Sequence, residues 1–390
     1  MKSYTQKEKE IKKIAFIQPF GLSSPGGGAA TLRAFLRHAP KSFISICTSP
    51  KRPPETNIGK EIHLPVRPYF GRIESTRFGR YLGYLLPLYA KDFKIKLERI
   101  CRENKVTAIH AIPHGLDFWY GFQVAQRLGL RYYLDVNDDM AYNLQSRPEL
   151  KEAMECLAYV WPKAQRRIVV SEAMGREYCR RYGESSYYVI SHGIEYIASE
   201  PLPYHPKSLR IYHMGSIHMS YEDNFKSLIR ALEMLRQKYF DWTISLTCRP
   251  GPSFKLKTGS LSFRTLPWGS ENEAIQDLKE ADILYLPLPF DKRFTSFVKY
   301  SWSVRATTCL GFGLPILYHG PTHAAVGQLL AEYHAAKVVT SLDPRQIVEA
   351  IIKLKDETTI IVRNALELAH KQFFLSNQRD KFWKVLCFDK

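Results

Sequence analysis

A glycine-rich turn near the N-terminus has residue types suited to holding an anion. A short apolar run ending at Phe20 leads into Ser-Pro-Gly-Gly-Gly and then into a segment with helical spacing of apolar residues. A strand that stops at glycines and restarts as a helix directs backbone N–H groups at one point. Gly26, Gly27 and Gly28 are therefore predicted to let the backbone approach a phosphate without Cβ clashes. The spacing matches neither standard phosphate-loop pattern, so a plain turn is the alternative.

Acidic residues follow another predicted strand, in the sequence Asp-Val-Asn-Asp-Asp at 135–139. In a doubly wound sheet the carboxyl ends of the strands face the ligand crevice. Asp138 or Asp139 can orient a substrate hydroxyl there, and capping of the next helix is the alternative. Because no histidine or cysteine completes a ligand cluster at this point, we expect no metal site.

The bulk properties are those of a globular protein with an unusual charge. The chain has 390 residues, 45% of them hydrophobic and 24% charged, which predicts two domains or at most three. Its seven cysteines form no C-x-x-C pair, which fits a reducing cytoplasm better than a disulfide framework or a zinc ribbon. The longest apolar run is about half of a membrane span, and the N-terminus does not read as a signal peptide.

The net charge of +18 lies mainly in the first half of the chain. Residues 1–190 carry about +13 and residues 191–390 about +5, with about +10 between residues 31 and 110. Nucleic acid, an anionic membrane or a polyanionic substrate would be attracted by this charge. We expect no nucleic-acid partner, because no nucleic-acid-binding module is recognisable in the sequence.

Strand-like apolar runs alternate with helical segments along the whole chain, which predicts βαβ units and parallel sheets. A proline-bearing segment with little periodicity, 196–208, separates two such series. We predict an α/β fold of two doubly wound, Rossmann-like domains, at 1–200 and 201–375. A C-terminal helix at 376–390 is expected to pack back on the first domain. The cleft between the domains is the expected active site.

The order of several segments resembles that of the GT-B nucleotide-sugar glycosyltransferases. Within that fold the chain is similar to the large retaining family that includes glycogen and sucrose synthases and mannosyltransferases. The segments that carry the likeness are the glycine-rich first loop, 108–116, 167–195 and 263–288. The resemblance covers roughly residues 12 to 375. It implies transfer of a sugar from a nucleotide-diphosphate sugar with retention of configuration, without a metal or a further cofactor.

The stretch 300–320 resembles the donor-binding helix of that family. Its Gly-Leu-Pro at 313–315 aligns, and Arg305 stands in place of the family's lysine. The resemblance implies that Arg305 clamps the donor diphosphate from the start of the helix. An ordinary surface arginine is the alternative. Lys299 and Arg249 are further candidates for the same diphosphate.

The sequence departs from the family at four donor positions. Tyr300 and Thr308 stand where the family has two glutamates, and Ser216 and Asp223 replace common diphosphate ligands. The second glutamate usually holds the donor ribose, and the Thr308 hydroxyl offers only a shorter contact, so Thr308 is kept as a donor-binding candidate. These departures leave open a catalytically degenerate relative that acts as a binding subunit.

A histidine and a basic segment complete the candidate site. His114 follows a predicted strand, and the resemblance implies that it contacts the sugar near the reacting carbon. His110 lies within that strand and is predicted to be a packed core residue. The basic, aromatic region 67–105 suits an anionic membrane surface, with a core-facing amphipathic helix as the alternative.

These expectations combine into one leading hypothesis and two alternatives. The leading hypothesis is a cytoplasmic glycosyltransferase, peripheral at the inner face of the membrane, that uses a glycan or a lipid-linked acceptor in envelope polysaccharide synthesis. The alternatives are the degenerate binding subunit and a sugar-nucleotide epimerase, which shares the double-domain fold.

Overall fold

The structure is a computed structural model that describes residues 13–202, 207–217, 219–267, 269 and 271–387. The chain divides into two compact units. The first unit runs to Ile190 and resumes at Arg379, and the second spans Ser191–Gln378. Each unit is built on one parallel sheet, so the predicted pair of doubly wound α/β domains is confirmed.

The sheet of the first unit has seven parallel strands in the order β3-β2-β1-β4-β5-β6-β7. The strands are β1 Lys13–Gln18, β2 Ser42–Cys47, β3 Lys60–His63, β4 Ala108–Ala111, β5 Arg131–Val136, β6 Arg166–Val169 and β7 Tyr188–Val189.

Helices connect these strands. They are α1 Gly27–Leu36, α2 Leu86–Glu103, α3 Asp117–Leu128, α4 Met140–Asn143, α5 Leu150–Val160 and α6 Glu172–Tyr182, with 3₁₀ turns at Gly71–Ser75, Gly79–Leu85 and Trp161–Lys163. The basic, aromatic region 67–105 therefore contains two 3₁₀ turns followed by α2. Its buried residues Leu86, Phe93, Leu97 and Cys101 show the core-facing side that one interpretation of this region predicted.

The strand order places the first crevice of the sheet beside β1. Residues 14–17 of β1 are fully buried, as expected for a central parallel strand covered on both faces. Because β1 lies between β2 and β4, the connections after β1 and after β4 leave in opposite directions. Ligands bind at such a switch point, beyond the carboxyl ends of the strands. The glycine turn follows β1 and His114 follows β4, so both lie at this edge.

The sheet of the second unit has six parallel strands in the order β10-β9-β8-β11-β12-β13. The strands are β8 Ser208–Met214, β9 Thr243–Arg249, β10 Ser262–Thr265, β11 Ile283–Pro287, β12 Ile316–His319 and β13 Lys337–Val339.

The helices of the second unit cover this sheet. They are α7 Glu222–Lys238, α8 Glu271–Lys279, α9 Thr295–Tyr300, α10 Val304–Leu310, α11 Ala325–Glu332 and α12 Pro344–Leu368, followed by a π-helical turn at Ala369–Phe373. α7 buries an apolar stripe that includes Phe225, Leu228, Leu232 and Leu235. This stripe shares one core cluster with Ile347, Ile351 and Leu354 of α12.

The last helix, α13 Leu375–Cys387, ends in the first unit. The ring of Phe382 lies 4.8 Å from that of Phe35 and 6.2 Å from that of Phe16. The indole N–H of Trp383 donates to the backbone carbonyl of Phe35 at 2.9 Å. These contacts attach α13 to α1 and β1.

All seven cysteines are free thiols. Within the described residues no helix combines the length and the apolar character needed to cross a membrane.

Candidate functional site

The glycine turn has the backbone geometry that its composition predicts. Gly26 is the N-cap of α1 with a φ of 119°, a value that glycine adopts far more readily than other residues. No side chain caps the helix, and its first turn carries no acidic residue. At Gly28 a Cβ would lie 2.9 Å from the ring of Phe20. The start of α1 thus combines uncapped N–H groups with a close approach of Phe20, and its use for phosphate stays a prediction.

His114 lies at the same edge of the sheet. Its ring centre is 6.4 Å from that of Phe20, and its Nε2 is 3.8 Å from Oδ2 of Asp138. This separation is too long for a hydrogen bond. Nε2 is buried and has no hydrogen-bond partner among the described residues. The structure therefore brings Phe20, His114 and Asp138 close together, and the role of His114 toward a sugar stays a prediction.

A buried carboxyl group three residues after His114 was not among the predicted site residues. Asp117 stands in the first turn of α3 and is 2% exposed. The Thr48 hydroxyl donates to Oδ2 at 2.6 Å, while Oδ1 has no partner in the described part of the chain. Burial raises the pKa of Asp117, and Thr48 and the charge of His114 act against that rise. The sequence signal was an acidic residue three positions after His114, at a helix start.

The two aspartates after β5 differ in their surroundings. Asp138 is partly exposed and faces His114. Asp139 is fully buried at the N-cap of α4, but its side chain does not cap that helix. Instead it accepts hydrogen bonds from Arg181 at 2.7 Å and from the Tyr178 hydroxyl at 3.3 Å. Asp139 is thus paired with Arg181 through Oδ1, whereas Asp138 is the more exposed of the two aspartates.

His110 is a core residue, as predicted. It is fully buried in β4, its Nε2 is 3.1 Å from Oδ2 of Asp135, and its ring lies 4.8 Å from that of Phe16.

Arg305 stands in the first turn of α10 and reaches the end of β8. Its Nη2 donates to the carbonyl of Ser216 at 2.9 Å, and its guanidinium lies 5.5 Å from the ring centre of Tyr221. Gly215 has a φ of 92°, and a Cβ there would lie 2.9 Å from Nε of Arg305. Nε itself is buried without a hydrogen-bond partner among the described residues. The guanidinium is therefore held in place, and its Nε–H group makes no hydrogen bond to the described residues.

The other predicted donor ligands are placed differently. Lys299 is exposed at the end of α9, 5.2 Å from the ring centre of Tyr300. The Thr308 hydroxyl donates to the carbonyl of Val304 at 3.0 Å, one turn earlier in α10. Arg249 forms an ion pair with Asp277 that uses its Nε and Nη2. Of the four side chains, Arg305 alone combines a fixed position at the end of β8 with a buried N–H group that lacks a partner in the described residues.

Besides His114, the structure shows a buried histidine close to Arg305 that was not among the predicted site residues. His213 in β8 is fully buried, and its Nδ1 donates to the carbonyl of Tyr285 at 3.0 Å. Burial lowers its pKa well below the ordinary value, and the positive charge of Arg305 acts in the same direction. His213 is therefore neutral at physiological pH, with the lone pair of Nε2 unpaired among the described residues.

No three histidine, cysteine, aspartate or glutamate side chains of the described residues cluster closely enough to hold a metal ion.

Many solved structures share the fold of this chain. HepE from Anabaena, in complex with UDP, matches with a TM-score of 0.68 at 13% identity over 96% of this chain and 99% of that one. Sucrose-phosphate synthase from Thermosynechococcus elongatus matches with a TM-score of 0.66 at 14% identity, over 96% and 98% of the two chains. An α,α-trehalose-phosphate synthase (UDP-forming) from Burkholderia xenovorans, in complex with glucose-6-phosphate, has a TM-score of 0.61 at 12% identity, over 96% and 99%.

These likenesses extend over nearly the whole of every chain compared, and they show that the protein has the GT-B fold. No protein-family model matches the sequence, and no curated protein sequence matches it either.

Proposed function

We propose that the protein is a glycosyltransferase that moves a sugar from a nucleotide-diphosphate sugar to an acceptor hydroxyl. The observation that carries the proposal is Arg305, whose guanidinium is fixed at the carboxyl end of β8 and has an N–H group without a partner among the described residues. A planar guanidinium matches the oxygens of a diphosphate. The GT-B structures that match this chain support the same ligand class, since one of them is in complex with UDP and another is bound with UDP-2-fluoro glucose.

The proposed reaction retains configuration and uses no metal. The bond between the anomeric carbon and the diphosphate oxygen breaks, and its electron pair leaves with the diphosphate. The acceptor oxygen bonds to that carbon from the same face, and its proton passes to the departing oxygen. Arg305 stabilises the charge of the diphosphate, and the start of α1 is a second source of N–H donors. His114 donates a hydrogen bond to a sugar hydroxyl, and Asp138 orients the acceptor hydroxyl.

We propose that the acceptor is a glycan or a lipid-linked glycan in envelope polysaccharide synthesis and that the protein works at the cytoplasmic face of the membrane. The concentration of positive charge in the first unit supports this placement.

The direct test is thermal unfolding with a panel of UDP-, GDP-, ADP-, CDP- and TDP-sugars. At about 100 times its dissociation constant, the matching donor is expected to stabilise the protein by about 2.7 kcal/mol. For a unit of this size that free energy corresponds to a rise in Tm of roughly 5 to 10 °C. No shift with any member of the panel would contradict the proposal.

Release of nucleoside diphosphate separates the proposed enzyme from the two alternatives. Binding without release would indicate the degenerate binding subunit, which is favoured by the Thr308 hydroxyl being bonded within its own helix. Conversion to an epimeric sugar nucleotide would indicate the epimerase.

Substitution of Gly215 by alanine tests whether the position of the Arg305 guanidinium determines the affinity for the donor. A new Cβ would lie 2.9 Å from Nε of Arg305 and displace the guanidinium, so we expect about ten-fold weaker donor binding. Gly183→Ala is the matched control, because Gly183 also has a positive φ of 100° but nothing lies within 4 Å of its Cβ position. Both variants place an alanine at a positive φ and carry the same kind of backbone strain, but only Gly215→Ala should reduce the ligand-induced rise in Tm. Equal losses in both variants would assign the effect to backbone strain.

A further inference from the structure

The first unit exposes an unusual concentration of apolar side chains between residues 69 and 88. Among the described residues, thirteen large apolar side chains are exposed, and six of them fall in this stretch. They are Tyr69, Ile73, Phe78, Tyr81, Tyr84 and Leu88, and Tyr84 and Leu88 are 67% and 73% exposed. We call residues 69–91 the aromatic–basic surface. An exposed group of this kind marks an interaction site more often than a chance feature.

The same surface is positively charged. Arg72, Arg77, Arg80 and Lys91 are all exposed. Glu74 is the one acidic residue between 62 and 91. It is paired with Arg67 through both carboxylate oxygens, at 2.5 and 2.7 Å, and Arg67 holds the pKa of Glu74 below its usual range. No acidic side chain of this segment is therefore left to offset the four exposed cations.

The cations and the rings are arranged together. The Arg77 guanidinium lies 5.0 Å from the ring centre of Phe78, and that of Arg80 lies 4.7 Å from the ring of Tyr81. The rings of Tyr81 and Tyr84 are stacked at 6.3 Å. Each guanidinium thus stands beside an aromatic face, which is the combination suited to a boundary between a charged and an apolar layer.

The fold holds this surface in place. Glu74 also accepts from the backbone N–H of Phe70 at 3.0 Å, which closes the first 3₁₀ turn. A Cβ at Gly79 would lie 2.5 Å from the carbonyl oxygen of Glu74. The next turn leads directly into α2, whose Leu86 and Phe93 are buried in the core. The surface is therefore presented by a packed segment and does not have to fold on binding.

We propose that the aromatic–basic surface docks the protein on an anionic lipid bilayer, with the rings and aliphatic side chains at the headgroup level and the arginines on lipid phosphates. Charge complementarity selects an anionic partner, and the exposed Ile73 and Leu88 select one with an apolar layer beneath its charges. This inference rests on the proposed function only for the location of the acceptor. The docking itself requires no sugar nucleotide.

Co-sedimentation of the full chain with vesicles tests the proposal. The expected result is binding to vesicles of phosphatidylcholine with about 30% phosphatidylglycerol, loss of binding at high salt, and little binding to pure phosphatidylcholine. Each basic residue near an anionic leaflet strengthens binding about five-fold, so Arg77→Ser with Arg80→Ser should weaken it about 25-fold. Phe78→Ser with Tyr84→Ser should weaken it at least ten-fold.

Two matched controls separate this surface from a general effect of charge or apolarity. Lys353→Ser with Arg363→Ser removes the same charge from exposed positions of α12, and Tyr196→Ser with Phe240→Ser removes two exposed rings from the second unit. Both controls should bind vesicles within two-fold of the wild type. Equal losses in the controls, or no binding to anionic vesicles, would overturn the proposal.

Two further measurements complete the design. Tighter binding of a random oligonucleotide than of vesicles, lost in the same two surface variants, would overturn the lipid assignment in favour of nucleic acid. Sugar-nucleotide stabilisation is measured on each variant in parallel. Vesicle binding without any stabilisation by a sugar nucleotide would support the docking surface and contradict the proposed transferase function. Stabilisation by a sugar nucleotide without vesicle binding would support the transferase function and contradict the docking surface.

Discussion

Replacing Arg305 with alanine is expected to weaken donor binding about 100-fold or more. Two charge-assisted hydrogen bonds to a diphosphate contribute about 1.5 to 3 kcal/mol each, and a loss of about 2.7 kcal/mol corresponds to a factor of 100. The substitution removes the guanidinium held at the end of β8 by Ser216 and Tyr221. The rise in Tm seen with the matching sugar nucleotide should disappear, and calorimetric titration should show the lower affinity directly.

The structure offers a control of the same residue type. Arg293→Ala removes an exposed arginine of the second unit that pairs with Asp291, two residues before it, and it should leave donor binding unchanged. The unliganded Tm of Arg305→Ala should remain near that of the wild type, because Arg305 is partly exposed. A variant that unfolds earlier but still gains the full ligand-induced shift would show that Arg305 serves the fold and not the donor.

Each of the two units places its candidate ligand groups in a different way. In the second unit, a close glycine, a carbonyl and a tyrosine ring place one guanidinium. In the first unit, β1 and β4 are buried, and two polar atoms beyond their carboxyl ends, His114 Nε2 and Asp117 Oδ1, have no hydrogen-bond partner among the described residues. Buried polar atoms without partners are costly, so such a pair fits a site completed by hydroxyl groups of a ligand.

Much of the fold could be predicted because central parallel strands are continuous apolar runs. The segments that became β1 and β11 have this pattern, and β4 and β5 have it apart from the interior His110 and Asp135. β3 was not predicted, since Lys-Glu-Ile-His has neither an apolar run nor an alternating one. It is a strand because it pairs with β2, and β7 is a two-residue strand at the other end of the sheet. These two edge strands depend on pairing with their neighbours, which sequence periodicity does not reveal, whereas the edge strands β10 and β13 of the second sheet were predicted.

The candidate site was less accessible to prediction because a side chain's partners are distant in sequence. Arg249 fits the requirement for a phosphate ligand, but Asp277 on α8 takes its guanidinium. Asp139 fits the requirement for a catalytic carboxylate, but Arg181 on α6 neutralises it inside the protein. Asp117 was missed because its significance lies in its burial against Thr48. Residue type and local spacing identify candidates, whereas pairing determines which of them remain free.

The exposed aromatic side chains of region 67–105 also show what the sequence could predict and what only the structure shows. The region 67–105 had two interpretations, a membrane surface and a core-facing helix. The structure shows the core-facing side in α2, and it places the exposed Tyr81 and Tyr84 in the second of the two 3₁₀ turns that precede α2. The exposed Tyr69 and Phe78 lie just before the two turns. Helical periodicity could not separate the two parts, because the apolar residues of the 3₁₀ turns face solvent.

Replacing His114 with alanine is expected to reduce turnover about 100- to 1,000-fold with little change in donor affinity. A placed hydrogen-bond donor that acts on developing charge contributes to the transition state more than to the bound substrate. The unpartnered Nε2 beside Asp138 gives His114 that capacity. The measurement is release of nucleoside diphosphate from the donor identified by the unfolding panel, with water as the acceptor where no other is known.

His38→Ala is the matched control, since His38 is an exposed histidine of the same unit. Asp117→Asn adds a second readout. It keeps the shape of the side chain and removes a titratable group that interacts electrostatically with His114. It should therefore lower turnover and alter the pH dependence of the rate while leaving the dissociation constant of the donor within about three-fold. His114→Ala could instead raise that dissociation constant and leave the turnover number unchanged. His114 would then bind the ground state and the transition state equally well, and the stabilisation of developing charge would have to come from Arg305 and the start of α1.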